Sequence, residues 1–356
     1  MDHGRRIAAL RELADLGCDQ AILVTALPNI RYLTGFAGSA GTVLVLPDAC
    51  LLLVDGRYHE AAQAVVPDTV DVVKLESGRQ YPQIGELLRG VRAVLIDPSQ
   101  ITLEVHHALT EAMPTVELVE RGGLPEKLRL TKDDGEIARI KRAADIAVAA
   151  FTEVLPDLGS GISEREFAWR LEAAMRRRGA DGPAFPFIVA SGPHSSQPHA
   201  HPTDRVIREG EPVVVDFGAL VDGYHSDITR TVWVGDLDPR IRPIHRAATA
   251  AHRRGLEAAR PGVAHAEVDA HCREAMAEHG YDTVLHPSGH NVGLSIHERP
   301  YLSAQAHEPI GVGYVLTIEP GVYVPGVGGC RTEDTVVIRE DGPEILSAFP
   351  APAPNS

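Results

Sequence analysis

The chain has 356 residues, more than one core usually holds, and its 44% hydrophobic and 23% charged residues are ordinary for a globular protein of two domains. A net charge of −15 with no long basic run argues against nucleic acid or an anionic membrane as a partner. No segment reaches the roughly 20 apolar residues that span a bilayer.

The start, MDHGRRIAALRELADLG, is basic and then amphipathic, without the apolar core and cleavage site of a secretion signal, and predicts a surface helix. Short β-branched runs at 21–26, 41–47, 50–56, 70–75 and 93–99 predict strands, with helices at EAAQAV and ITLEVHHALTEAM. The alternation predicts a small α/β domain ending near residue 122, followed by the connection ERGGLPEKLRLTKDD. We therefore expect domains over 1–125 and 126–356. A helix follows over 134–156, where Ile137, Ile140, Ala144, Ala147, Phe151 and Val154 recur near a 3.6 period. Ser163-x-x-Glu166 reads as a capping box opening a helix that stops at Gly179, and two more helices are expected near 240–259 and 265–279. The Pro-rich tail FPAPAPNS is expected to fray. Cys18, Cys50, Cys272 and Cys330 are scattered without C-x-x-C spacing, so they read as buried small hydrophobes in a reducing cytoplasm rather than as ligands.

The last third holds the chemistry. VVVDFGAL and YHSDITRTVWV read as strands joined through Asp222-Gly223, a hairpin dipeptide. A two-residue turn there sets Val221 opposite Tyr224, Gly218 opposite Asp227 and Asp216 opposite Thr229. Asp216 and Asp227 are then diagonal neighbours on one face, about 7–8 Å apart at the backbone. YVLTIEPGVYV and CRTEDTVVI repeat the logic about a five-residue loop at 325–329, which sets Glu333 opposite Gly321 with Glu319 diagonal to it, although Pro320 interrupts the ladder. His290 lies between the hairpins. Four carboxylates gathered in one cavity repel, and burying them unpaired is costly. Two divalent cations remove the problem and acidify a water between them.

Histidine is abundant, at 17, so a single one means little. His106, His107, His252, His265, His271 and His279 sit in helical patterns and read as surface or boundary residues. His199 and His201 stand out in ASGPHSSQPHAHPTD, a loop crowded with small residues and Pro. His286 and His290 are spaced i, i+4, but Pro287 and Gly289 argue against a zincin helix, and GVGYVL and GVGG are incomplete as nucleotide loops. Asp55-Gly56-Arg57 reads equally as a catalytic group or a strand-ending turn.

Together these residues resemble the pita-bread metallopeptidases, namely aminopeptidase P, prolidase and methionine aminopeptidase, over nearly the whole chain. PNIRYLTGFAGSAG and LLLVDGRYHEAA resemble the non-catalytic domain of the proline-specific members; LRLTKDDGEIARIKRAADIA and FPFIVASGPHSSQPH resemble the opening helix and substrate loop. The resemblance implies an α/β (α+β) protein with a small N-terminal creatinase/prolidase-type domain and a C-terminal pita-bread catalytic domain of pseudo-two-fold halves. It implies two divalent metal ions, manganese before cobalt or zinc. Asp216 would bind one, His290 and Glu319 the other, and Asp227 and Glu333 would bridge them. His199, His297 and Glu319 would be catalytic, with Phe185, His286 and Arg331 contacting substrate. Asn291, Phe185 and His201 depart from the commonest pattern.

The expected activity is hydrolysis of the Xaa-Pro bond at the N-terminus of short proline-containing peptides. A prolidase restricted to dipeptides is the alternative. A creatinase-like hydrolase or a binding protein is the third reading, and such members typically lose ligands that are all present here. A cytoplasmic homodimer, or a tetramer, completes what the resemblance implies.

Overall fold

In the computed structural model, which describes residues 2–349, the chain divides into Met1–Arg129 and Leu130–Ser356. The Pro-rich tail beyond Phe349 lies outside the described residues. Among the described residues no helix is long and apolar enough to cross a membrane.

The first unit is built on a six-stranded mixed sheet. Its spatial order is Asp71–Leu75, Cys50–Asp55, Thr42–Val45, Gln20–Val24, Ala93–Ile96 and Glu117–Glu120. The central runs are nearly continuous Val, Ile and Leu because helices cover both sides; Ala21, Leu23, Leu44, Leu53, Val94 and Ile96 pack in one core. The edge strand Glu117–Glu120 escapes sequence reading, since its four residues begin and end with Glu and carry two apolar ones. The opening helix His3–Ala14 buries Ile7, Leu10 and Ala14, as an amphipathic surface helix does. Part of the expected connection is itself helical, at Leu124–Leu130. Asp55 and Arg57 form a local turn pair, with the Arg57 amide and guanidinium both donating to the Asp55 carboxylate.

The second unit consists of two helix pairs laid on sheets. Asp134–Val154 and Glu164–Arg177 pack on the sheet Ile188–Ser191, Val213–Phe217 and Ile228–Val232, around Phe151, Phe167 and Phe217. Arg242–Ala258 and His265–Glu278 pack on strands that include Val315–Ile318 and Asp334–Arg339. The halves repeat one backbone device. Ile207 N–H donates to Ile162 O (3.0 Å) and Glu164 N–H to Arg205 O (3.0 Å) in the first. Ile310 N–H donates to Val263 O (2.8 Å) and His265 N–H to Glu308 O (3.2 Å) in the second. The bridges Ser163 to Val206 and Ala264 to Pro309 are equivalent in the same way.

Several expectations are corrected. Ser163 does cap its helix, accepting from Glu166 N–H at 3.2 Å, but the Glu166 carboxylate turns to Arg170 instead of closing the box. The reciprocal box forms at Asp133 and Glu136, at the start of Asp134–Val154, and such a cap is worth about 1 kcal/mol. His252 and His265 are buried, not at a boundary. His265 Nδ1 donates to Glu308 O at 2.7 Å, while His252 Nε2 lies 3.2 Å from Asp334 Oδ2 as a charge contact without hydrogen-bond geometry. Cys18 is exposed, whereas Cys50, Cys272 and Cys330 are buried.

Candidate metal centre

Asp222 and Gly223 both have positive φ (48° and 74°), as the hairpin turn requires, and Val221 pairs with Tyr224. The same register continues to Asp216 opposite Thr229. The first carboxylate hairpin therefore stands as read. Gly218 is demanded by a close backbone approach: a Cβ there would lie 1.9 Å from the Ser226 carbonyl oxygen. The backbone crosses itself tightly beside Asp227.

The second hairpin is shifted. Gly321 pairs with Arg331 and Val324 with Gly328, so three residues make the loop, not five. Ile318 pairs with Asp334 on the far side of Glu319-Pro320, and both stretches share one register that sets Glu319 against Glu333 rather than diagonal to it. Gly328 and Gly329, expected in the loop, belong to the strand Gly328–Arg331. A Cβ on Gly329 would lie 2.3 Å from Ser195 O, so glycine is demanded by a neighbouring segment and not by the turn.

Asp216, Asp227, His290 and Glu319 line one cavity of about 410 Å³ together with Phe185, His199, His201, His286, His297 and Arg331. Glu333 lies behind its surface, 1% exposed. Asp227, His290 and Glu333 each offer a ligand atom within 4.8 Å of the others. His290 Nε2 is 3.3 Å from both Asp227 Oδ2 and Glu319 Oε1, while its Nδ1 donates to the Asn291 carbonyl at 3.0 Å. That backbone bond fixes the ring and aims Nε2 at the carboxylates, the arrangement metal-binding histidines use.

Thr229 Oγ donates to Glu333 Oε2 at 2.6 Å, and Arg331 Nη2 to Asp216 Oδ2 at 2.5 Å. Yet Asp216 Oδ1 and Glu333 Oε1 are buried with no hydrogen-bond partner among the described residues. Two buried carboxylate oxygens without partners are costly unless a cation takes them. The donor set, hard oxygens plus one imidazole, suits divalent ions.

The electrostatics agree. Burial first, then the neighbouring carboxylates, push Asp227 and Glu333 well above the usual carboxylate range. Burial also raises Asp216 despite Arg331. Glu319 is held below its ordinary value: burial acts to raise it, but His290, His286, Arg331 and His297 outweigh that. Burial lowers His286 and His297.

Sequence reading missed Tyr323 and the threonines. The Tyr323 hydroxyl sits 2.9 Å from His286 Nε2 and accepts from Arg331 Nη1 at 2.8 Å; burial pushes the phenol up to about 12. Thr317 Oγ donates to Glu319 Oε1 at 3.3 Å. Thr229 was findable, since the correct register already placed it opposite Asp216.

Four candidate ligands are buried and Glu319 is partly exposed beside them, a donor set suited to metal ions, and comparison with known proteins gives the family. Residues 138–340 match metallopeptidase family M24 and residues 5–131 match the Creatinase/Prolidase N-terminal domain. The chain belongs to metallopeptidase family M24. It is 36% identical over 349 residues to the "Uncharacterized peptidase YqhT" of Bacillus subtilis, covering 97% of this chain and 98% of that one. Among solved structures it is similar to the Xaa-Pro dipeptidase from Bacillus anthracis (34% identity, TM-score 0.93, 100% and 99% coverage). It is also similar to the X-Pro aminopeptidase from Thermotoga maritima (32% identity, TM-score 0.88, 96% and 98% coverage).

Proposed function

We propose that this protein is a Xaa-Pro peptidase working with two divalent ions, and that it releases the residue ahead of proline from the N-terminus of short peptides. The observation that carries the reading is the buried ligand set itself: two orphaned carboxylate oxygens, on Asp216 and Glu333, beside the His290 imidazole. Asp216, Asp227, His290, Glu319 and Glu333 would hold the ions, with Asp227 and Glu333 bridging. Bound there, two divalent cations, manganese ahead of cobalt or zinc, supply an acidified water and polarise the scissile carbonyl.

The chain's own residues carry the remaining steps. Glu319 takes the proton of the attacking water and delivers it to the departing imide nitrogen. His297 hydrogen-bonds substrate, and His199 stabilises the oxyanion or the proline side; both line the cavity with Glu319. Phe185 and His286 wall the proline pocket, and Arg331 holds Asp216 in place. We place the enzyme in the cytoplasm as a homodimer.

A second reading, a dipeptidase restricted to Xaa-Pro dipeptides, is favoured by the likeness to the Xaa-Pro dipeptidase from Bacillus anthracis, which matches along the whole chain. Manganese-supplemented hydrolysis of an Xaa-Pro dipeptide beside a matched Xaa-Pro tripeptide decides. Efficient cleavage of the tripeptide supports the aminopeptidase; cleavage of the dipeptide alone makes it a prolidase. Idleness on both, with metal bound, overturns the peptidase reading.

A further inference from the structure

The segment between Ser191 and Thr203 carries His199 and His201 to the cavity, and both of its ends are tied to one buried side chain. Glu164, the first residue of helix Glu164–Arg177, is fully buried. Its carboxylate is saturated by donors from that segment alone. Ser191 N–H and Oγ donate to Oε1, both at 2.8 Å. Thr203 N–H and Oγ donate to Oε2 at 3.1 and 2.7 Å. His194 Nδ1 sits across the two oxygens, at 3.1 and 3.0 Å.

A buried carboxylate without a metal or a direct arginine partner is expensive, so such a site persists only where its hydrogen bonds are complete. Here they are complete enough to hold the group below its ordinary value: burial raises it, and the bonds from Thr203, Ser191 and His194 outweigh that. The nearest guanidinium, Arg205, is occupied by Glu211 (2.8 and 2.5 Å) and reaches the cluster only through Ser191 Oγ at 2.5 Å. The middle of the segment is held separately, by Gly329 N–H on Ser195 Oγ (2.8 Å) and Arg331 Nη1 on Pro198 O (3.2 Å). The base of the loop thus depends on Glu164, and the tip on the strand leading to Glu333.

We infer that Glu164 is a positioning residue for catalysis, closing the base of the 191–203 loop so that His199 stands over the ligand cavity. It touches neither substrate nor ion and acts through the loop. The inference rests on the role proposed for His199. A carboxylate is required because every partner donates. Glutamine must turn its NH₂ toward one end, and either Ser191 and His194 or Thr203 then meets a donor instead of an acceptor.

The test combines amide exchange of the metal-free protein with a double-mutant cycle. Glu164→Gln should speed exchange of the 191–203 amides by about tenfold or more while strand 213–217 keeps its protection. It should also lower kcat/KM on an Xaa-Pro peptide about tenfold, yet by less than about threefold in a His199→Ala background, because the two act in series. Unchanged exchange in 191–203, or equal fold-losses in both backgrounds, overturns the inference. If Glu164→Gln does not fold, Thr203→Val, which leaves the carboxylate and its other donors in place, is read by the same two criteria. Wild-type protein idle on Xaa-Pro peptides would overturn the proposed function, and the exchange experiment would still decide the clamp.

Discussion

Arg331 and Asp216 share a single hydrogen bond of 2.5 Å, and that bond uses only one of the two aspartate oxygens. Oδ2 faces a permanent cation; Oδ1 is buried without a hydrogen-bond partner. The carboxylate is oriented by the protein with one oxygen uncommitted, as a metal ligand would need.

Arg331→Met should therefore cost the metal-free protein about 3 kcal/mol, because it strips a buried ion pair of one member. With manganese bound the loss should be clearly smaller, since the ions take over part of the arginine's role. Chemical denaturation with chelator and with manganese checks this. Equal losses in the two conditions contradict the proposed ligand role of Asp216.

Asp227→Asn and Glu333→Gln should abolish tight metal binding and lower turnover by at least about a hundredfold. The metal-free variants should melt higher than the metal-free wild type, because each removes one of several carboxylates that raise one another's pKa. Metal content and melting temperature are the readouts. A fully active variant of either residue sinks the assignment.

The same shifts fix a pH dependence. Asp227 and Glu333 have folded values above their unfolded ones, so they contribute stability that is full below the ordinary carboxylate value, about 4. It is lost as pH rises through their raised values. Histidines with lowered values, His286 and His297, act in the opposite sense near neutrality, so the carboxylate contribution is read against Asp227→Asn. Relative to that metal-free variant, metal-free wild type should lose stability as pH rises above the ordinary carboxylate range, and saturating manganese should flatten or reverse the difference. Thermal melts of both proteins check it, and a difference that does not change with pH refutes the buried-carboxylate account.

Gly218→Ala should destabilise by about 3 kcal/mol or more, since the added Cβ meets backbone at 1.9 Å and nothing flexible can yield. Gly41→Ala, whose Cβ would find ordinary contacts at 3.6 Å, is the control and should cost less than about 1 kcal/mol. Denaturation curves of both separate a steric demand at the hairpin from a general glycine effect.

How far the sequence was legible follows from where each constraint lives. The Asp222-Gly223 hairpin could be registered because a two-residue turn is local chemistry. The hairpin at 325–327 could not, because Gly329 answers to Ser195, far away in sequence, and reading it as loop lengthened the turn by two residues. A helical pattern places His265 at the surface or a boundary because it does not reveal that Glu308 and Asn291 satisfy its ring. Nothing in the sequence singles out Glu164, the first residue of its helix. Its partners are distributed over a loop whose path only the fold sets.

The strands that carry the candidate ligands are stitched to one another by Thr229, Thr231 and Arg331, through bonds such as Thr231 Oγ to Arg331 O at 2.9 Å. Phe185, Ile188, Ile296 and Tyr301 form part of the cavity wall and carry none of those stitches. The two sets of residues can accordingly drift at different rates. Selection can resculpt the wall for a new peptide while the stitched lattice stays frozen, so divergence of diet within one lineage needs no reinvention of its chemistry.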